Sequence, residues 1–62
     1  MSVFELVRRC GNYIDTYRII KPNGDFDEYS TYTIIPDMYG LTSVVSFQIE
    51  KIAGQVVLEV VL

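Results

Sequence analysis

The stretch from Val44 to Leu62 constrains the fold more than any other part of this sequence, because it is the most apolar part of the chain yet is interrupted by Gln48, Glu50, Lys51, Gln55 and Glu59. Val45, Phe47 and Ile49 alternate with Ser46, Gln48 and Glu50, the pattern of a strand with one buried face. Val56 to Leu62 supplies an apolar partner strand. A helical stripe also runs through positions 45, 49, 52, 53, 56, 57, 60 and 61. β-Branched residues crowd that helix, however, and Gly54 falls inside it, so a hairpin is the better fit.

The turn sets which residues meet. A four-residue loop, Lys51-Ile52-Ala53-Gly54, places Val45 opposite Val60, Phe47 opposite Leu58 and Ile49 opposite Val56. A two-residue Ala53-Gly54 turn moves the pairing by two and leaves the faces unchanged. Either way, these six residues are expected in the core.

The other side of the last strand is harder to account for. If Val56, Leu58, Val60 and Leu62 face the core, then Val57, Glu59 and Val61 face away from it, with Val44 beside them. Valines around a single carboxylate are too apolar for an ordinary solvent face. That surface, or the free edge of the strand, is expected to be covered by a second copy or a protein partner, which makes Val44, Val57, Glu59 and Val61 candidate interface residues.

Size sharpens this expectation. The chain has 62 residues, room for one domain over 1–62, and a domain of that size buries only about 60% of the surface its unfolded form exposes. Small domains compensate with disulfides, a structural metal or oligomerisation. Cys10 is the one cysteine and histidine is absent, so neither an internal disulfide nor the usual zinc ligand set is available. Half of the residues are hydrophobic, which argues against disorder and leaves association as the remaining device.

The rest of the chain reads as a helix and a second hairpin. Ser2 and Glu5 have the spacing of a capping box, and Val3, Phe4, Leu6, Val7 and Cys10 then fall on one side at helical spacing, predicting a short helix over 2–10. Gly11 and Asn12 suit its end. Residues 12–21 and 25–35 are rich in Tyr, Thr and Ile and predict two strands around Pro22-Asn23-Gly24. With Lys21 opposite Asp25, Arg18 faces Glu28, Tyr17 faces Tyr29 and Ile20 faces Phe26. With Pro22 opposite Asp25, Tyr13, Tyr17 and Ile19 share a face with Phe26, Tyr32 and Ile34. Pro followed by Asn-Gly suits a type I turn closed by a glycine bulge and favours the first. Pro36 to Gly40 reads as a loop. The sum is an α+β domain, a short N-terminal helix on a four-stranded, mainly antiparallel sheet of two hairpins, with a small all-β barrel as the alternative.

No residue pattern marks catalysis. Asp25, Asp27 and Glu28 lack the spacing of a calcium loop and read as solvated charge guarding a strand edge. Cys10 has no histidine to activate it, and Arg8 and Arg9 suit the end of a helix without any phosphate. No cofactor, metal or small-molecule substrate is inferred. Tyr13, Tyr17, Arg18 and Tyr29 form the best nucleic-acid candidate, since aromatics and cations on a sheet can stack single-stranded bases. A net charge of -3 and interleaved acids weigh against it.

The expected function is thus a non-enzymatic protein-interaction module, a small homo-oligomer acting as accessory subunit or inhibitor of a larger protein. A single-stranded nucleic-acid binder is the alternative, and an enzyme subunit whose site forms only on assembly is a third. Residues 1–10 carry Glu5, Arg8 and Arg9 and so lack the apolar core of a secretory signal. With a lone thiol and no membrane span, a reducing cytoplasm is the expected location.

Overall fold

The computed structural model describes all 62 residues and starts its first helix at the capping box. Helix α1 spans Val3–Cys10, with Ser2 at the N-cap. The Ser2 hydroxyl accepts from the Glu5 N–H at 3.2 Å and the Glu5 carboxylate accepts from the Ser2 N–H at 3.2 Å. Two donors that the helix itself leaves without partners are thereby satisfied. Gly11 ends the helix at φ +79, a conformation that costs glycine little.

The capping bonds have a pH signature. Hydrogen bonds from Ser2, the backbone one foremost, hold the Glu5 carboxyl below its usual value of 4.5. A depressed folded value means that the cap contributes fully above the unfolded value and fades as pH falls through the folded one. In an acid titration followed by far-UV circular dichroism, the wild type is expected to lose stability below pH 4.5 more steeply than Glu5→Gln. Superimposable profiles would contradict this role for Glu5.

Strands β1 (Thr16–Ile20) and β2 (Phe26–Tyr29) form the first hairpin. Tyr17 pairs with Tyr29, Arg18 with Glu28 and Ile20 with Phe26, the register in which Lys21 closes on Asp25. The Lys21 N–H donates to the Asp25 carbonyl at 2.7 Å, and the Gly24 N–H donates to the Lys21 carbonyl at 2.9 Å. Both strands are shorter than their composition suggests. The Thr31 hydroxyl accepts from the Thr33 N–H and turns the chain into a 3-10 segment at Tyr32–Ile34, so β2 stops early. The expected loop at Pro36–Gly40 contains a single helical turn, α2 (Asp37–Gly40).

Strands β3 (Ser46–Ile52) and β4 (Gln55–Val61) form the second hairpin, and the helical alternative for this stretch is excluded. The turn is the two-residue one, which pairs Phe47 with Val60, Ile49 with Leu58 and Ile52 with Gln55. Ala53 sits at φ 51 and Gly54 at φ 82. Positive φ at both central residues follows the twist of the flanking strands, but it strains alanine. Ala53→Asn is expected to raise stability by about 0.5–1 kcal/mol, read from the urea midpoint. An unchanged or lowered midpoint would contradict the turn assignment.

The sheet order is β2-β1-β4-β3, with β1 and β4 parallel at the centre and both hairpins antiparallel. The architecture is therefore α+β with a mixed sheet that does not close into a barrel, and β2 and β3 form its edges. α1 lays Val3, Leu6 and Val7 over Tyr17 and Ile19 of β1 and Leu58 and Val60 of β4, with Ile14 and Ile35 joining the cluster. No helix is long and apolar enough to cross a membrane.

One expectation fails here. Leu58 and Val60 are fully buried and Val56 is partly so, but the residues facing them from β3 are not core. Val45 is 75% exposed, Phe47 49% and Ile49 43%. The reason is width. A helix about 10 Å across covers about two strands spaced roughly 4.8 Å apart, and α1 spends its cover on β1 and β4. β3 lies beyond its reach.

Candidate interface on the third strand

The sheet face away from α1 carries a polar row that runs across all four strands. Glu28, Arg18, Glu59 and Gln48 stand at paired positions of β2, β1, β4 and β3. The Arg18 guanidinium meets Glu28 at 2.7 Å and Glu59 at 3.3 Å, and lies 4.9 Å from the centroid of the Phe26 ring. The Gln48 amide donates to Glu59 at 3.0 Å and also to Glu50. These partners, the Glu28 hydrogen bond first, raise the Arg18 pKa still further. Every charged member of the row has a partner within it.

This row explains much of what is unusual in the last strand. Glu59 is a carboxylate at the centre of a sheet, where it accepts from an arginine and a glutamine. Val57 is only 4% exposed and Val61 half-buried, since β4 is a central strand flanked on both sides. Val44 stands apart from them. Its N–H donates to the Met1 carbonyl at 2.8 Å and its side chain packs against the core on the α1 side, because the chain bends between Ser43 and β3. β4 has no free edge, so the free edges belong to β2 and β3.

The open surface lies on β3. Phe47 and Ile49, paired with Val60 and Leu58, form an uncovered apolar strip on the same face as α1, and exposed Val45, whose N–H donates to the Val61 carbonyl at 2.8 Å, adjoins it with Met1 and Val44 at one end. The backbone beside this strip is also free. Val56 of β4 and Leu62 just after it turn their peptide groups toward the first hairpin, where the Val56 carbonyl accepts from the Asp15 N–H, one residue before β1, at 2.8 Å and the Leu62 N–H donates to the Ile20 carbonyl at 2.9 Å. The alternation along a strand then gives Gln55, Val57, Glu59 and Val61 to β3. On β3, Ile52, Glu50, Gln48 and Ser46 are their partners. Phe47, Ile49 and Lys51 are left to direct N–H and C=O groups outward from the sheet edge.

Comparison with protein-family models, with curated proteins and with solved structures finds no match to this chain.

The tyrosines of the first hairpin do not assemble into one stacking surface. Tyr17 is buried under α1 with its hydroxyl pKa raised by burial, and Tyr29 packs beside it. Arg18 points to the opposite face and is held by two carboxylates. Tyr13 is exposed before β1 begins. The acids of the hairpin are likewise dispersed, with Asp25 bound to Asn23, Asp27 to Lys21 and Glu28 to Arg18. Cys10 is half-buried beside the core, and burial pushes its thiol pKa up, away from the reactive thiolate.

The β3 strip is the feature that alternation alone misassigned. Its one sequence signal is arithmetical: the chain offers one substantial helix for four strands, and a single helix is wide enough to cover about two.

Proposed function

We propose that this chain is a non-enzymatic protein-interaction module that binds through β3, offering a free strand edge and the apolar strip of Phe47 and Ile49, with Val45 adjoining it, to another polypeptide. The observation that carries this reading is the coincidence of the two on one strand. Main-chain groups at a sheet edge supply affinity when a strand is added, and side chains alternating along it supply specificity. An accessory subunit, an inhibitor of a larger protein and a small homo-oligomer all use such a surface in the same way.

Position-resolved photocrosslinking tests the reading. A benzophenone amino acid is placed at Phe47, and for comparison at Asn23 in the far hairpin turn, and the chain is irradiated in its native host. The module reading expects a discrete adduct from position 47 that is lost when the same chain also carries Ile49→Pro, and that position 23 does not form. Adducts alike from both positions, or none from position 47, would overturn it. The adduct's mass separates a second copy from a different protein.

A further inference from the structure

We propose that the occupant of this surface is a second copy of the chain, its β3 pairing antiparallel with β3 about a two-fold axis at Gln48, so that two sheets become one. The inference rests on the module reading and names its partner and register.

The two edges of the sheet differ in how they are guarded. β2 has four residues, two of them the acids Asp27 and Glu28, and Asp25 stands just before it. Two such edges brought together set these acids against one another, with their cations Lys21 and Arg18 lying behind them on the β1 side, and acids along an edge are a common defence against pairing. β3 has seven residues and no proline or glycine, and its one acid and one base, Glu50 and Lys51, cancel. On a chain of net charge -3, a locally neutral edge is where two copies meet with least repulsion.

The strand is also complementary to itself about Gln48. Phe47 falls opposite the partner's Ile49, and by symmetry Ile49 falls opposite the partner's Phe47. Both residues turn their backbone groups outward, so each pair exchanges two main-chain hydrogen bonds. Ser46 falls opposite the partner's Glu50, a hydroxyl donor facing a carboxylate. Lys51 falls beyond these pairs, near the partner's exposed Val45, with its ammonium left in water. No like charges oppose one another. Moving the axis to Ile49 keeps the hydrogen bonds but sets Phe47 against Lys51, losing the two aromatic–aliphatic pairs. With the axis at Gln48, the apolar strips of the two copies adjoin and narrow the water-exposed surface of each.

Sedimentation equilibrium of the full chain from low micromolar to millimolar concentration tests the pairing. The molar mass is expected to rise from 7.1 kDa to twice that value. Ile49→Pro removes an outward N–H that β4 does not use, which an edge strand tolerates, and is expected to stay monomeric while retaining the wild-type far-UV spectrum. Phe47→Glu serves as the second monomeric variant should the proline unfold the chain. A wild type monomeric throughout, or a dimer that survives both changes, would overturn the proposal.

Register is tested separately in a Cys10→Ser background. Gln48→Cys brings two sulfurs together across a non-hydrogen-bonded pair, where Cα atoms lie about 4.5 Å apart, and is expected to give a disulfide-linked dimer on mild oxidation. Ile49→Cys is expected to remain uncrosslinked. The reverse preference would overturn the axis at Gln48. A monomeric chain that still forms a discrete adduct from position 47 with a different protein would overturn self-pairing and leave the module reading standing.

Discussion

Leu58→Ala is expected to remove most of the stability of this domain. Leu58 is fully buried on a central strand, beneath α1 and among Tyr17, Ile19 and Val60. Truncating such a leucine costs its transfer free energy and leaves a cavity that two flanking strands and a helix close only in part, about 3 kcal/mol together. A domain of this size has a total stability of roughly 3–9 kcal/mol, so the variant sits near its threshold. Urea unfolding is expected to show a midpoint reduced by a third or more, or no folded baseline. A loss below about 1 kcal/mol would mean that the core is not organised around β4.

The second large effect belongs to Gly40. It is buried at the end of α2 in backbone that any residue adopts, and the Phe4 ring of α1 lies directly where a Cβ would go. Gly40→Ala forces that ring aside and is expected to cost about 2 kcal/mol, the usual scale of overpacking. In a Phe4→Ala background the obstacle is gone. There the same change is expected to be neutral or to stabilise by up to about 1 kcal/mol, since alanine favours helical backbone over glycine. A double-mutant cycle read by urea unfolding resolves the sign reversal. Equal costs in both backgrounds would show that the ring does not rest on Gly40.

Local chemistry made much of this fold legible in the sequence. The Ser2–Glu5 spacing located α1 because both donors it satisfies are neighbours in the chain. Pro22-Asn23-Gly24 chose its register because Pro22 presets the first central position of a type I turn, which Gly24 at φ 93 then closes as a bulge against Lys21. The faces of the second hairpin followed from alternation whichever turn formed.

What escaped the sequence depends on how elements sit together. Nothing within β1 or β4 announces that they run side by side and parallel, and that pairing buries Val57 and gives Glu59 the Arg18 guanidinium. The same placement leaves Phe47 and Ile49 in water. Alternation shows that two faces differ, but which face is covered depends on the size of the layer above it.

Residue-resolved amide hydrogen exchange along β3 bears most directly on the claim that this strand edge is free in the single chain and occupied in the complex. In dilute solution Gln48, Glu50 and Ile52, bonded to β4, are expected to exchange slowly, while Phe47, Ile49 and Lys51 exchange fast. As concentration rises, the amides of Phe47 and Ile49 are expected to gain protection together while those of β2 stay unchanged. Fast exchange at Phe47 and Ile49 that persists at millimolar concentration, or slow exchange along the whole of β3 at every concentration, would contradict it.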